Sequence, residues 1–351
     1  MNKKNRLSPG ELFVTPAPHI YHKDSTSKIM WIVFISLLPA GVWSVFLFGI
    51  PALNIIITTL VTCLLTEVGF NLIRKGPITI TDGSAALTGI LLAYILPPYA
   101  PLYIPITASI FAIGVVKHLF GGLGYNVLNP ALAGRVFVMF SWLEPMTASE
   151  YYLPRLAESF LPDSGVSLQA TSSATALFAI KNTSGNLEGK LPDLWDLFMG
   201  KMGGSLGEVS ALLLLLGALW LLKRRYITWQ IPFSFVGSLF VFSFFYGYIT
   251  DISLSAGYNL WQNAFFYALS HILSGGLILG AFFMTTDMVT TPLTVRGQFI
   301  AGLGAGALTF IIRVFGGYPE GVMFAILLMN IITPLIDRRS RPKIYGWGNN
   351  P

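Results

Sequence analysis

Cysteine is almost missing from this chain: Cys63 is the only one among 351 residues, and it sits inside an apolar run. A disulfide framework, or a cysteine-ligated zinc or iron–sulfur centre built by this chain alone, is thereby excluded, so a redox centre here is organic or shared with a partner. Charge is scarce too, at 11% against 54% hydrophobic residues, with a mean hydropathy of +0.66. That balance excludes an ordinary soluble domain and points to an integral membrane protein. The four histidines, at 19, 22, 118 and 271, show no metal-ligand spacing. A cleavable leader is not expected, because some 28 residues, including Glu11 and Asp24, precede the first apolar run and a second run follows at once.

What charge there is carries information by its position. The net charge of +6 does not suggest nucleic acid, because the basic residues fall in short clusters beside apolar segments, as a topology signal does. The partner such clusters imply is membrane lipid. Apolar runs long enough to be considered as spans lie near 29–48, 52–73, 83–97, 101–118 and 127–142, then 208–222, 229–249, 262–284, 298–315 and 319–336. Sixteen of the twenty-two Lys and Arg then fall on one face, including Arg74, Lys75, Lys117, Lys223 to Arg225, Arg296 and the closing Arg338 to Lys343. Both termini are therefore expected in the cytoplasm, with the loop near 143–207 outside.

The runs repeat. Gly89 and Pro101 in "TGILLAYILPPYAP" recur as Gly280 and Pro292 in "LGAFFMTTDMVTTP", both offset by 191 residues, and "FGG" at Phe120 recurs at Phe315, offset by 195. Five spans per half is an odd number, so the halves must be inverted. The expected fold is all-α, ten transmembrane helices in two inverted five-helix repeats, with short or discontinuous helices near the midplane. The expected parts are a cytoplasmic strap over 1–28, a first repeat over 29–142, an extracytoplasmic loop over 143–207, a second repeat over 208–336 and a basic tail over 337–351.

Three stretches carry groups with chemistry. In "DGSAALTG", Asp82 to Gly89, an acid precedes hydroxyls, among them Thr88; this can coordinate a cation, hold a flavin ring by hydrogen bonds, or cap a helix. "TTDMVTTPLT", Thr285 to Thr294, is its counterpart in the second half. In "GGLGYNVLNPALAGR", Asn126 and Asn129 project amides suited to the carbonyl and ring-nitrogen edge of an isoalloxazine, or form a self-satisfied re-entrant turn. Glu67, Arg135 and Arg313 lie within or at the rim of spans; such groups cost roughly 2.5–3.5 kcal/mol to insert, and either serve a function or snorkel. In the outer loop, "QATSSATALFAI" offers four hydroxyls, Thr171, Ser172, Ser173 and Thr175, which read by themselves as a helix start.

Taken together, "DGSAALTGILLA", "FGGLGYNVLNPALAGR", "GAFFMTTDMVTTPLTVRG" and "FGGYPEGVMFAILLMNIITPLIDRRSRPKIYG" resemble, over essentially the whole chain, the family that contains the D subunit of the Rnf electron-transfer complex and the B subunit of the sodium-pumping NADH:quinone oxidoreductase. The length is closer to the former. The resemblance implies a ten-helix inverted repeat and a role in ferredoxin:NAD oxidoreduction coupled to Na+ or H+ transport. It implies FMN joined by a phosphoester to a threonine in a Ser-x-Ala-Thr motif, here Ser172, Ser173, Ala174 and Thr175, installed by a flavin transferase. Gln169 and Ala170 stand where many relatives carry an acid and a glycine, and Thr171, Ser172 and Ser173 are the alternative acceptors. A second flavin, riboflavin or FMN, is implied in the membrane part, with Asp82, Thr88, Asn126 and Asn129 as its candidate contacts. The implied partners are the other Rnf subunits, including the FMN-bearing G subunit and the flavin and iron–sulfur subunits. The quinone-linked complex and a cofactor-free channel of the same fold are the alternatives.

Overall fold

A computed structural model describes residues 24–76, 79–148, 151–152, 177, 180–181, 193–200, 203–208, 210–254, 257–318 and 320–340. Every regular element among these residues is helical. The first half holds α1 (Thr26–Phe48), α2 (Ile50–Ile73), α3 (Ser84–Tyr94), α4 (Tyr103–His118) and α5 (Pro130–Ser141). Two short helices follow, α6 (Leu143–Thr147) and α7 (Leu194–Met199). The second half holds α8 (Ala211–Lys223), α9 (Gln230–Ile249), α10 (Leu260–Leu273), α11 (Leu277–Met284), α12 (Val295–Phe315) and α13 (Val322–Ser340).

The boundaries follow local chemistry. Ser25 caps α1 by accepting from the Lys28 amide, and Gly49, at φ 74°, makes the sharp turn into α2. Asn129 caps α5 through two amides, with Pro130 at its first position, and Thr294 caps α12. Four helices, α1, α2, α9 and α12, are long and apolar enough to cross a membrane, and the pair α10 and α11, bent by 64°, makes a fifth if taken as one span. The helices α3, α4, α5 and α8 are apolar but shorter. About 20 residues are needed to span the hydrocarbon, so these helices are short of that length.

Two differences from the sequence reading have physical causes. The run near 262–284 is not one helix: Ser274 to Gly276 interrupt it, with Gly275 at φ 69°, although hydropathy is continuous across the break. The run near 83–97 yields only Ser84–Tyr94, because the adjacent Pro97 and Pro98 of "LPPYAP" cannot continue a helix. α2 packs on α3 and α4, and α9 packs on α10 and α12. One apolar core runs through both halves, from Leu37 and Tyr94 to Phe283 and Val322.

Candidate functional site

On the side where α1 and α3 begin and α8 ends, the helices line a partly open cavity of about 90 Å³. Its walls are mostly apolar, with Met30, Leu87, Phe282 and Phe283 among them. Its polar groups are few: Ser84, Thr88, Lys117, Asn126, Asn129, Thr286 and Asp287. Three of the four membrane residues singled out from sequence, Thr88, Asn126 and Asn129, therefore meet at one cavity. Asp82 does not line it; its carboxylate accepts from the Ser84 amide at 2.8 Å and the Ser84 hydroxyl at 2.6 Å, just ahead of α3, whose N-cap position is Gly83.

The amides differ in what they have left to offer. Asn129 accepts from the Ala131 and Leu132 amides and donates to Met284 O at 3.2 Å, so it ties the start of α5 to the end of α11. Asn126 donates to Leu128 O at 3.1 Å and lies within hydrogen-bond reach of Asp287. Asp287 and Lys117 set opposite charges on the cavity wall. Lys117 reads in sequence as one more cytoplasmic cation, but the structure buries it: the last turns of α4, Phe111–His118, widen into a π-helix that turns it inward. Its ammonium donates to Glu67 at 2.8 Å and to Ser84 at 2.7 Å, while Thr79 donates to the other Glu67 oxygen at 2.7 Å. Glu67 is thus neither snorkelling nor unpaired. His118 completes the group, 3.1 Å from Glu67 and stacked on Phe70.

A second buried cluster lies at the break between α10 and α11. Arg135 on α5 bonds Glu320, which precedes α13, and lies 3.8 Å from Glu208, which precedes α8. Arg313 on α12 donates to His271 O at 2.5 Å and Ser274 O at 3.1 Å. Both arginines are buried, so neither snorkels. Glu208 and Glu320 were not legible as site residues, because each starts an apolar run and reads as interfacial. Asp287 had a signal, since it sits in the repeated "TTDMVTTPLT" stretch.

The hydroxyl motif Ser172, Ser173, Ala174 and Thr175 lies outside the described residues. Just past it the chain is docked: Leu177 and Ile180 are buried with Ile252 and Tyr267, and Lys181 donates to Gly316 O at 2.5 Å and Tyr318 O at 2.8 Å.

The family model described as NQR2, RnfD, RnfE matches residues 13–346. The chain belongs to this family. The D subunit of the proton-translocating ferredoxin:NAD(+) oxidoreductase complex of Clostridium ljungdahlii is 44% identical, over 95% of this chain and 96% of that one. The D subunit of the Na(+)-translocating ferredoxin:NAD(+) oxidoreductase complex of Acetobacterium woodii is 40% identical, over 95% of each chain. The D subunit of the ion-translocating oxidoreductase complex of Stutzerimonas stutzeri is 39% identical, over 92% and 93%. These NQR2, RnfD, RnfE relatives translocate different ions by name, so membership of the family does not decide between Na+ and H+.

Proposed function

We propose that the chain is the membrane-embedded D subunit of an ion-translocating ferredoxin:NAD+ oxidoreductase complex, relaying electrons through flavins while Na+ or H+ crosses the bacterial inner membrane. It catalyses nothing alone and works with the peripheral and membrane subunits of the Rnf complex. The observation that carries this reading is the near full-length similarity to D subunits of ion-translocating complexes. In this reading the ten apolar segments form two inverted repeats, with both termini cytoplasmic. The packing of α2 on α3 and α4 and of α9 on α10 and α12 supports it.

Thr175 is the proposed acceptor for FMN, attached by a transferase acting from outside. The docked turn after it, held by Leu177 and Lys181, would keep that flavin against the membrane domain. The inner cavity is the proposed place of a second, non-covalent flavin, whose ring would open it further. Its apolar walls suit the ring faces, and Asn126, Thr88, Thr286 and Asp287 suit the donor and acceptor edge. A flavin supplies electron transfer in steps of one or two, and the chain's residues supply orientation and exclude water.

Acid precipitation of the purified complex tests the cavity. It should release free flavin from the parent protein, and Asn126→Leu should release at least one flavin fewer per complex while covalent flavin stays unchanged. Equal release from both would move the second flavin elsewhere. The runner-up, the B subunit of a Na+-translocating NADH:quinone oxidoreductase, is separated by the acceptor: membranes bearing this chain should reduce NAD+ with reduced ferredoxin and should not reduce quinone with NADH.

A further inference from the structure

We propose that Glu208 and Glu320 share one proton and form a proton-binding site at the break between α10 and α11. Both carboxyls face the first residues of α11. An added Cβ on Gly276 would lie 3.0 Å from one Glu320 oxygen and 3.3 Å from Glu208 Oε1. The two carboxyls thus lie against the same residue and flank the same Arg135 guanidinium. Two ionised carboxylates so placed repel, and a proton on one relieves that repulsion.

The surrounding charges leave room for that proton. Arg135 is hydrogen-bonded to Glu320, not to Glu208, and Arg313 spends its donors on the His271 and Ser274 carbonyls. Glu208, with 5% of its side chain exposed, keeps Oε1 without a hydrogen-bond partner, and its other oxygen accepts only from the Ser205 amide at 3.4 Å. Glu208 is therefore the more weakly paired carboxyl, reached by Arg135 only at 3.8 Å and without a hydrogen bond. The buried hydroxyls of Ser205, whose amide bonds Glu208, and of Ser274, at the same break, have no partner among the described residues. The other titratable groups facing the pair are Tyr152, near Arg135, and His271, near Arg313.

The site is built to stay in place. Backbone bonds from Gly204 to Tyr152, Leu206 to Leu96 and Gly207 to Tyr94 fix the segment carrying Glu208. With both carboxyls ionised, the two arginines and two glutamates sum to zero charge; with the shared proton they sum to +1. Gaining or losing the proton therefore changes the field at the start of α11, where the helix N-terminus favours negative charge. Arg135 belongs to the first half and Glu320 to the second, so that change is felt across the seam between them. A net proton here would be taken up and released as the complex turns over, with no bond to carbon made or broken.

Infrared difference spectroscopy on the purified complex tests this. The parent should show a protonated-carboxyl C=O band at neutral pH that shifts in D2O and titrates away as pH rises. Glu208→Gln should lose that band while its covalent flavin content and assembly stay at parental levels, and the pH profile of ferredoxin-driven ion transport should flatten. Glu208→Asp should restore both. A parent spectrum with no D2O-sensitive carboxyl band would overturn the proposal without any variant. A band unchanged in both Glu208→Gln and Glu320→Gln would overturn it as well.

Discussion

At the scale of single residues, the account turns on charges held away from water. Lys117 and Glu67 are each nearly fully buried and meet at 2.8 Å, with Ser84 and Thr79 closing the remaining bonds. Removing one partner of such a pair leaves an uncompensated buried charge and costs about 3–5 kcal/mol, whereas removing both costs far less. Lys117→Met should therefore lower the apparent melting temperature in detergent sharply, and Lys117→Met with Glu67→Leu should recover most of the loss. A double variant no better than the single would mean that the pair is not the source of the loss. Glu67 was visible in sequence as a suspect because an acid in an apolar run is rare. Lys117 was not, because a cation at a helix end reads alike whether it reaches for water or is turned inward, and the π-turn that decides leaves no hydropathy mark. Asn126 and Asn129 were legible as a pair but not in their division of labour, which depends on where Met284 and Asp287 arrive from the other half.

At the scale of elements, α9 and α12 show how the second half is held together. Gly302 and Gly306 of α12 lie against α9 so closely that an added Cβ would come within 2.6 Å of the Ile231 and Phe235 carbonyls and also meet the Ser234 and Ser238 hydroxyls. Small residues at four-residue spacing on both helices allow this approach, as in membrane helix pairs generally. Gly306→Ala should destabilise by roughly 1–3 kcal/mol, the usual cost of overpacking. Gly237→Ala, on α9 with nothing within 4 Å of the new methyl, should be neutral and is the control. Equal melting temperatures for both would show that the seam is looser than the geometry requires. The break between α10 and α11 was hidden from hydropathy because Ser, Gly and Gly are tolerated in membrane helices; only the positive φ of Gly275 and the 64° bend reveal it.

At the scale of the whole molecule, the helical class and the order of the apolar segments were legible because the length and spacing of apolar runs are sequence properties. How many segments cross fully was not, since α3, α5 and α8 have 11, 12 and 13 residues and their depth is set by packing. The proposed orientation has a direct check: with buried Cys63 replaced by Ala, a cysteine at exposed Trp195 should react with an impermeant maleimide in intact cells, and one at exposed Arg339 only after permeabilisation. Labelling of both, or of Arg339→Cys alone, in intact cells would contradict it. The central claim, that this family member is a flavin-bearing electron carrier and not a cofactor-free channel, is tested most directly by ultraviolet fluorescence on a denaturing gel after co-expression with a flavin transferase. The account predicts a flavin band for the parent chain and none for Thr175→Ala. A dark parent band with an active transferase would contradict it, and a band surviving in Thr175→Ala would move the acceptor to Thr171, Ser172 or Ser173.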